Sequence, residues 1–309
     1  MFSKKKKADV QATANNSTPD LPPSAIKVVA REIIKDKISL LAFLVIALIF
    51  ATTFIGSFAF SILHVDVTDT NIADAFYSWG QMGHILGTDD GGRDILNLLI
   101  VGGRNSIMIG LSVTFITEVI GLVVGVISGY YGGFIDAIIM RIIDFIQILP
   151  QLPIIIVLVS VIPNYNSVIL VALISLFGWT GTTRYYRSFV LSQSGREYVL
   201  ASKTSGSSDW QIMFREVLPN ISSMIIIDVV LGVAGNIGIE TALSFIGYGL
   251  PNSTPSLGTL IGFAQDPVNV TTRLWLWMPA TVVLLALSLS FNYVGRALQR
   301  AGDARQREN

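Results

Sequence analysis

The stretch from Ile38 to Phe60, ISLLAFLVIALIFATTFIGSFAF, contains no charged residue. A helix needs about 20 mostly apolar residues to cross the hydrocarbon of a bilayer, and this run supplies them. Working outward, five further segments of the same character follow: Ser106 to Gly129, Ile142 to Ile162, Val168 to Tyr186, Ile221 to Phe245 and Leu274 to Val294. The sequence therefore predicts an all-α membrane protein with six transmembrane helices. Composition points the same way. The AVILMFWYC group makes up 51% of the 309 residues, charged residues only 14%, and the mean hydropathy is +0.62. An ordinary soluble protein carries about 25% charged residues, and a soluble fold of this length has no interior for so much apolar surface.

Other chemistry is narrowed by what is scarce. Lys+Arg of 21 against Asp+Glu of 21 leaves a net charge of zero, so no whole-chain case for nucleic-acid binding arises. Cysteine is absent, which removes disulfides, a thiol nucleophile and cysteine metal sites. Only His64 and His84 offer imidazole, too few for a histidine metal cage. No Gly-x-x-x-x-Gly-Lys-Ser/Thr run occurs, so ATP hydrolysis is not expected of this chain.

Lys4 to Lys7 and the polar residues up to Ser24 read as a disordered cytoplasmic tail, 1–24. No apolar core follows the lysines directly, so a cleaved signal peptide is not expected. From Ile26, apolar Val28, Val29, Ile33 and Ile34 alternate with Lys27, Arg31, Glu32 and Lys35. Residues 25–37 fit an amphipathic helix on the membrane surface, or equally the first turns of the span that follows. Six spans return the chain to its starting side. Lys4 to Lys7, Arg141, Arg184, Arg187, Arg196, Lys203, Arg215, Arg296, Arg300, Arg305 and Arg307 then gather on one face. The opposite loops, 61–105 and 246–273, carry mainly acids. Positive charge marks the cytoplasmic side, which puts both termini, including a tail at 296–309, in the cytoplasm of a multi-pass membrane protein.

Gly121, Gly125 and Gly129 recur every fourth residue, giving one helix face on which backbones can pack closely. Between the fourth and fifth spans lies a polar loop, 194–220. In it Ala201 and Ser202 are followed three residues later by Gly206, then by nine residues, then by Glu216, Val217, Leu218 and Pro219. This describes a short helix with a small-residue face, a glycine for the reversal, a second helix, and a proline suited to the first turn of the next span. Alone it could be any helical hairpin.

That spacing resembles the signature of the membrane subunits of bacterial ABC importers: Glu-Ala-Ala, three residues, Gly, nine residues, Ile, one residue, Leu-Pro. Leu200 stands at the consensus Glu, Ser202 at an Ala and Glu216 at the Ile, while Glu197 supplies an acid slightly upstream. The variant is similar to the peptide and nickel branch of the family. Gly87-Thr88-Asp89-Asp90-Gly91-Gly92-Arg93-Asp94 resembles that branch's Gly-Thr-Asp-x-x-Gly-Arg-Asp motif; read by itself it would be a turn or a Ca²⁺-like acidic loop without EF-hand spacing. Gly129 to Gly133 with Asp136, Met140-Arg141 and Asp144, then Leu243 to Gly249 with Pro255 to Gly258, and Phe291-Asn292 continue the likeness. It covers roughly Ile38 to Arg305 and is greatest to the C-type permease subunit of oligopeptide and dipeptide importers. After Gly295 this chain has Arg296 where the branch usually has Asp.

The resemblance implies a permease domain at 38–295 with a cytoplasmic coupling helix. Glu197, Ala201, Ser202, Gly206, Leu218 and Pro219 would meet an ATPase. Asp89, Arg93, Asp94, Glu240, Gly247 and Gly249 would serve the outer face and substrate path. The implied partners are a second homologous permease subunit, forming a heterodimer, two ATPase subunits that hold ATP and Mg, an extracellular or periplasmic peptide-binding protein, and membrane lipid. No cofactor is expected in this chain, whose role would be transport rather than catalysis, with nickel or another small solute as the alternative cargo.

Three acids fall inside predicted spans: Glu118, Asp228 and Glu240. Such residues usually face a cavity or a partner, since lipid exposure costs at least about 2.5 kcal/mol. Glu240 matches a family acid; for Glu118 and Asp228, which have no family counterpart, a hydrogen bond or ion pair with the sister subunit is expected ahead of substrate contact. An intramembrane hydrolase would need a nucleophile or acid pair with a base at depth, and a simple channel would not need the docking loop.

Overall fold

The computed structural model describes residues 36–308 apart from Asn164 and Asn252. The tail at 1–24 and nearly all of the proposed interfacial helix at 25–37 lie outside the described residues. Ten helices make up the described chain, joined by short 3₁₀ turns. They are α1 (Lys37–Ile62), α2 (Ile95–Tyr131), α3 (Gly133–Ile148), α4 (Gln151–Val161), α5 (Ser167–Ser194), α6 (Glu197–Thr204), α7 (Asp209–Phe245), α8 (Leu257–Gly262), α9 (Pro267–Thr272) and α10 (Met278–Glu308). No strand forms among the described residues beyond an isolated bridge between Thr88 and Asp94.

Five helices, α1, α2, α5, α7 and α10, are long and apolar enough to cross a membrane. The third predicted span, Ile142 to Ile162, is instead the pair α3 and α4, bent by 73°. Pro150 explains the break: it has no N–H for the helix ladder and drives the residue before it out of helical conformation. Leu149 accordingly sits at φ −73, ψ 132. A sixth crossing exists only if the bent pair is counted as one span.

Asp36 caps α1, its carboxylate accepting from the Ile38 N–H at 3.1 Å. Leu41, Leu48, Ile55 and Phe58 on α1 are more than half exposed. In water this would be untenable; in hydrocarbon it is the expected outer surface. α10 runs past the boundary expected at Val294 because Ala297, Leu298 and Ala301 remain buried. Near its end Arg300 pairs with Asp36, and Gly302 lies against Ser223 of α7. The start of α1 and the end of α10 therefore share one end of the bundle.

Glycine spacing sets the tightest helix pair. Cβ atoms built on Gly125 and Gly129 would fall 2.8 Å from the carbonyl oxygens of Thr183 and Arg187, and one on Gly121 would meet the Thr182 side chain. All three glycines face α5 of the same chain. Two of the four apolar clusters among the described residues centre on α2. Ile95, Leu98, Ile107, Val233, Ile237 and Phe291 tie α2 to α7 and α10, whereas Ile109, Val113, Ile155, Leu170 and Ile174 tie α2 to α4 and α5.

Candidate functional site

At the end of the bundle that holds Asp36 and Arg300, the polar loop folds as a helical hairpin. α6 closes through Ser205 N–H to Ala201 O at 2.9 Å and Gly206 N–H to Lys203 O at 3.1 Å. Gly206 adopts φ +86, a left-handed conformation that a residue with a Cβ adopts only under strain. Ser208 then caps α7 in a reciprocal box with Gln211. The sequence reading separates the second hairpin helix from the next span; the structure runs them together as α7. Pro219 has no N–H to give, and the chain absorbs this in a widened π turn, Met213–Val217, where Leu218 N–H bonds to Met213 O.

The hairpin is welded to the spans on one face and bare on the other. Val199, Ile212, Met213 and Val217 are fully buried against Val126, Val190 and Ile221. Tyr130 Oη donates to Asp209 at 2.8 Å, and Lys203 Nζ lies 4.5 Å from the centre of the Tyr130 ring. The opposite face exposes Glu197, Ala201, Gly206 and Pro219, with Leu218 half-buried and Ser202 turned inward to Glu216. Beside them stand Leu200, Trp210 and Phe214, all more than half exposed, with the two rings stacked 5.7 Å apart. The family spacing does not single out these aromatics; their i, i+4 separation on a polar loop is the signal that was available.

At the far end of the bundle the two other motifs meet. Asp89 is fully buried and gathers its own loop: its carboxylate accepts from the N–H groups of Gly91 and Arg93 at 2.9 Å and from Arg93 Nε at 2.6 Å. Burial pushes its carboxyl above the usual carboxylate range, opposed by the Arg93 N–H groups and charge. Gly87 and Gly92 take positive φ, and Asp94 caps α2 while bonding His84 Nδ1 at 2.7 Å. Of the two readings of this segment, the geometry is that of a turn. Gly247, at φ +88, ends α7, and Gly249 packs where the Ser244 backbone leaves no room for a side chain. Pro255 to Gly258 leads into α8, held to α2 by Asn105 Nδ2 to Pro255 O at 2.8 Å and Leu257 N–H to Ser106 Oγ at 3.0 Å. Between these segments opens a cavity of about 410 Å³ bordered by Asp90, Arg93, Ser244, Gly247, Thr259 and Gln265.

Two of the acids within the spans bond to hydroxyl groups of this same chain. Glu240 is fully buried, with Ser244 Oγ donating to it at 2.7 Å, and it does not border the outer cavity. The helix turns its carboxylate toward the Ser244 and Thr241 hydroxyls of this chain. Glu118 accepts from the Tyr186 hydroxyl within the same chain, with Asp228 beside them, one of whose carboxylate oxygens is buried without a hydrogen-bond partner.

A bundle of long apolar helices, with a welded hairpin at one end and a polar cavity at the other, describes a multi-pass transport component. The chain belongs to the family of binding-protein-dependent transport system inner membrane components, which it matches over residues 121–308. It is 46% identical over 283 residues to the oligopeptide transport system permease protein OppC of Lactococcus lactis subsp. cremoris, covering 92% of this chain and 96% of that protein. It is 34% identical to the dipeptide transport system permease protein DppC of Haemophilus influenzae over 76% of this chain and 78% of that protein. The corresponding Bacillus subtilis protein is 33% identical over 90% and 85%.

Proposed function

We propose that the chain is one half of the translocation path of an ABC importer for oligopeptides or dipeptides. It pairs with a second, homologous permease subunit, and two ATPase subunits holding ATP and Mg dock on its hairpin side, which faces the cytoplasm together with both termini. A peptide-binding protein delivers cargo to the opposite, acid-rich side. The hairpin carries this reading. Its exposed Ala201, Leu200, Trp210 and Phe214 present a docking face, while its buried Val199, Ile212 and Met213 fasten that face to α2, α5 and α7. A push on the hairpin by a closing ATPase would therefore move three spans rather than flex a loop.

Purification of the tagged chain from its native membrane tests the assembly. Two ATPase subunits and a second permease should accompany it, and the reconstituted complex should take up peptides in preference to nickel. A chain that purifies alone from mild detergent would refute the proposal.

A further inference from the structure

Midway along α5 the broken third span opens a second polar cavity, of about 250 Å³. Gln147 at the end of α3 donates from Nε2 to Thr180 Oγ1 at 3.3 Å. Gln151, in the first turn of α4, has its Nε2 shut away from solvent without a hydrogen-bond partner. Gly181 leaves the α5 wall without a side chain, Gly178 packs against Thr117 of α2, and Phe177 closes one flank. No ionisable side chain borders the cavity.

This face does not suit lipid. Gln147 is exposed, and so is the Arg184–Asp144 ion pair one turn nearer the hairpin. The interruption at Leu149 and Pro150 ends one helix and starts another with no side-chain cap at Pro150, opposite the α5 midpoint, and helix ends carry carbonyl and N–H groups without intrahelical partners. Hydrocarbon satisfies none of these groups, so non-helical backbone at such depth is found only against protein or water. In secondary transporters, paired half-helix ends near the midplane are also where cargo is held.

We propose that this cavity is a station on the translocation path that reads the peptide bond of the passing cargo, through the carboxamides of Gln147 and Gln151. The inference rests on the peptide-permease reading above. A carboxamide presents a donor and an acceptor side by side, and a peptide bond presents the complement. Every residue of every peptide brings that pair, whereas a packed sister helix has its backbone groups already bonded internally. The volume admits the backbone of a residue or so, and the absence of charge leaves the station indifferent to side-chain sign.

The test compares uptake of a lysine-containing and a glutamate-containing pentapeptide by the reconstituted importer, carrying Gln147→Glu or Gln151→Glu. A carboxylate placed in a low-dielectric path should shift the uptake ratio toward the lysine peptide by about fivefold or more relative to wild type. Gln147→Leu and Gln151→Leu should slow both peptides alike, by about tenfold. A ratio unchanged in both Glu variants overturns the station, since a purely structural role would depress both peptides equally. Where a Glu variant does not assemble, Gln147→Cys in this cysteine-free chain should react with a small hydrophilic methanethiosulfonate in the full complex. A transported peptide, with binding protein and ATP, should slow that reaction; no labelling, or labelling indifferent to peptide, overturns the station. A wild-type complex that moves no peptide at all refutes instead the peptide-permease reading on which the station rests.

Discussion

Ser202 donates its hydroxyl to Glu216 Oε1 at 2.6 Å, across the turn of the hairpin. These are two of the positions at which the chain departs from the importer signature, Ser for Ala and Glu for Ile, and the structure joins them in one bond. The second oxygen of Glu216 is buried without a partner, so the acid depends on Ser202 for what satisfaction it has. Ser202→Ala should therefore destabilise the hairpin by about 1 to 3 kcal/mol by leaving a part-buried carboxylate less satisfied. The double variant Ser202→Ala, Glu216→Ile should recover most of that loss. A thermal-unfolding cycle in detergent measures the coupling, and additive single effects would show the two residues to be independent.

Gly206 makes the reversal at φ +86, and Gly206→Val forces a β-branched residue into that conformation. The variant should insert normally yet bind ATPase subunits at least about tenfold more weakly, a loss of about 1.4 kcal/mol or more. Ala201→Asp, which places a charge on the exposed face, should do the same without disturbing the turn. Co-purification yield against a fixed amount of membrane-inserted chain reads both.

The stacked pair Trp210 and Phe214 is exposed on a loop that otherwise favours polar residues. Exposed aromatics of this kind are frequent binding anchors, and truncation of one typically costs 2 kcal/mol or more at an interface, by the usual order of magnitude. Trp210→Ala should weaken ATPase binding about thirtyfold while leaving the thermal stability of the isolated chain unchanged. Lost stability with unchanged binding would place the ring in the fold rather than at the interface.

Gly125 lies against the backbone of α5, with its would-be Cβ 2.8 Å from the Thr183 carbonyl oxygen. Gly125→Ala should push the two helices apart at a cost of about 1 to 3 kcal/mol. Gly235, which has open space at the same position, serves as the control, and Gly235→Ala should be close to neutral. Melting temperatures of the two variants check the contrast.

Much of this was legible in advance because the bilayer imposes long apolar runs, and α1, α2, α5, α7 and α10 each announce themselves that way. The bend in the third span is hidden by hydropathy that continues across it, although Pro150 carries the signal. α8 and α9, of 6 residues each, are too short to leave a helical period in a loop. The motif spacing located the hairpin and both outer segments, yet it gave no direction for Glu240. That direction depends on Ser244 one turn on in α7 and on Ser106 and Ser256, which elements distant in sequence bring to the carboxylate. With the acid fully buried, Glu240→Gln should slow lysine-containing and neutral peptides alike, and a selective loss of the lysine peptide would place it on the substrate path.

The most direct test of the whole reading is ATP-driven accumulation of a radiolabelled oligopeptide in proteoliposomes holding this chain, its co-purified partners and the binding protein. Accumulation should require ATP and the binding protein, and should fall to background with Ala201→Asp in this chain although the ATPases themselves are unaltered. Accumulation that persists at the wild-type rate in the Ala201→Asp complex, or that proceeds without ATP, would contradict a permease driven through its cytoplasmic hairpin.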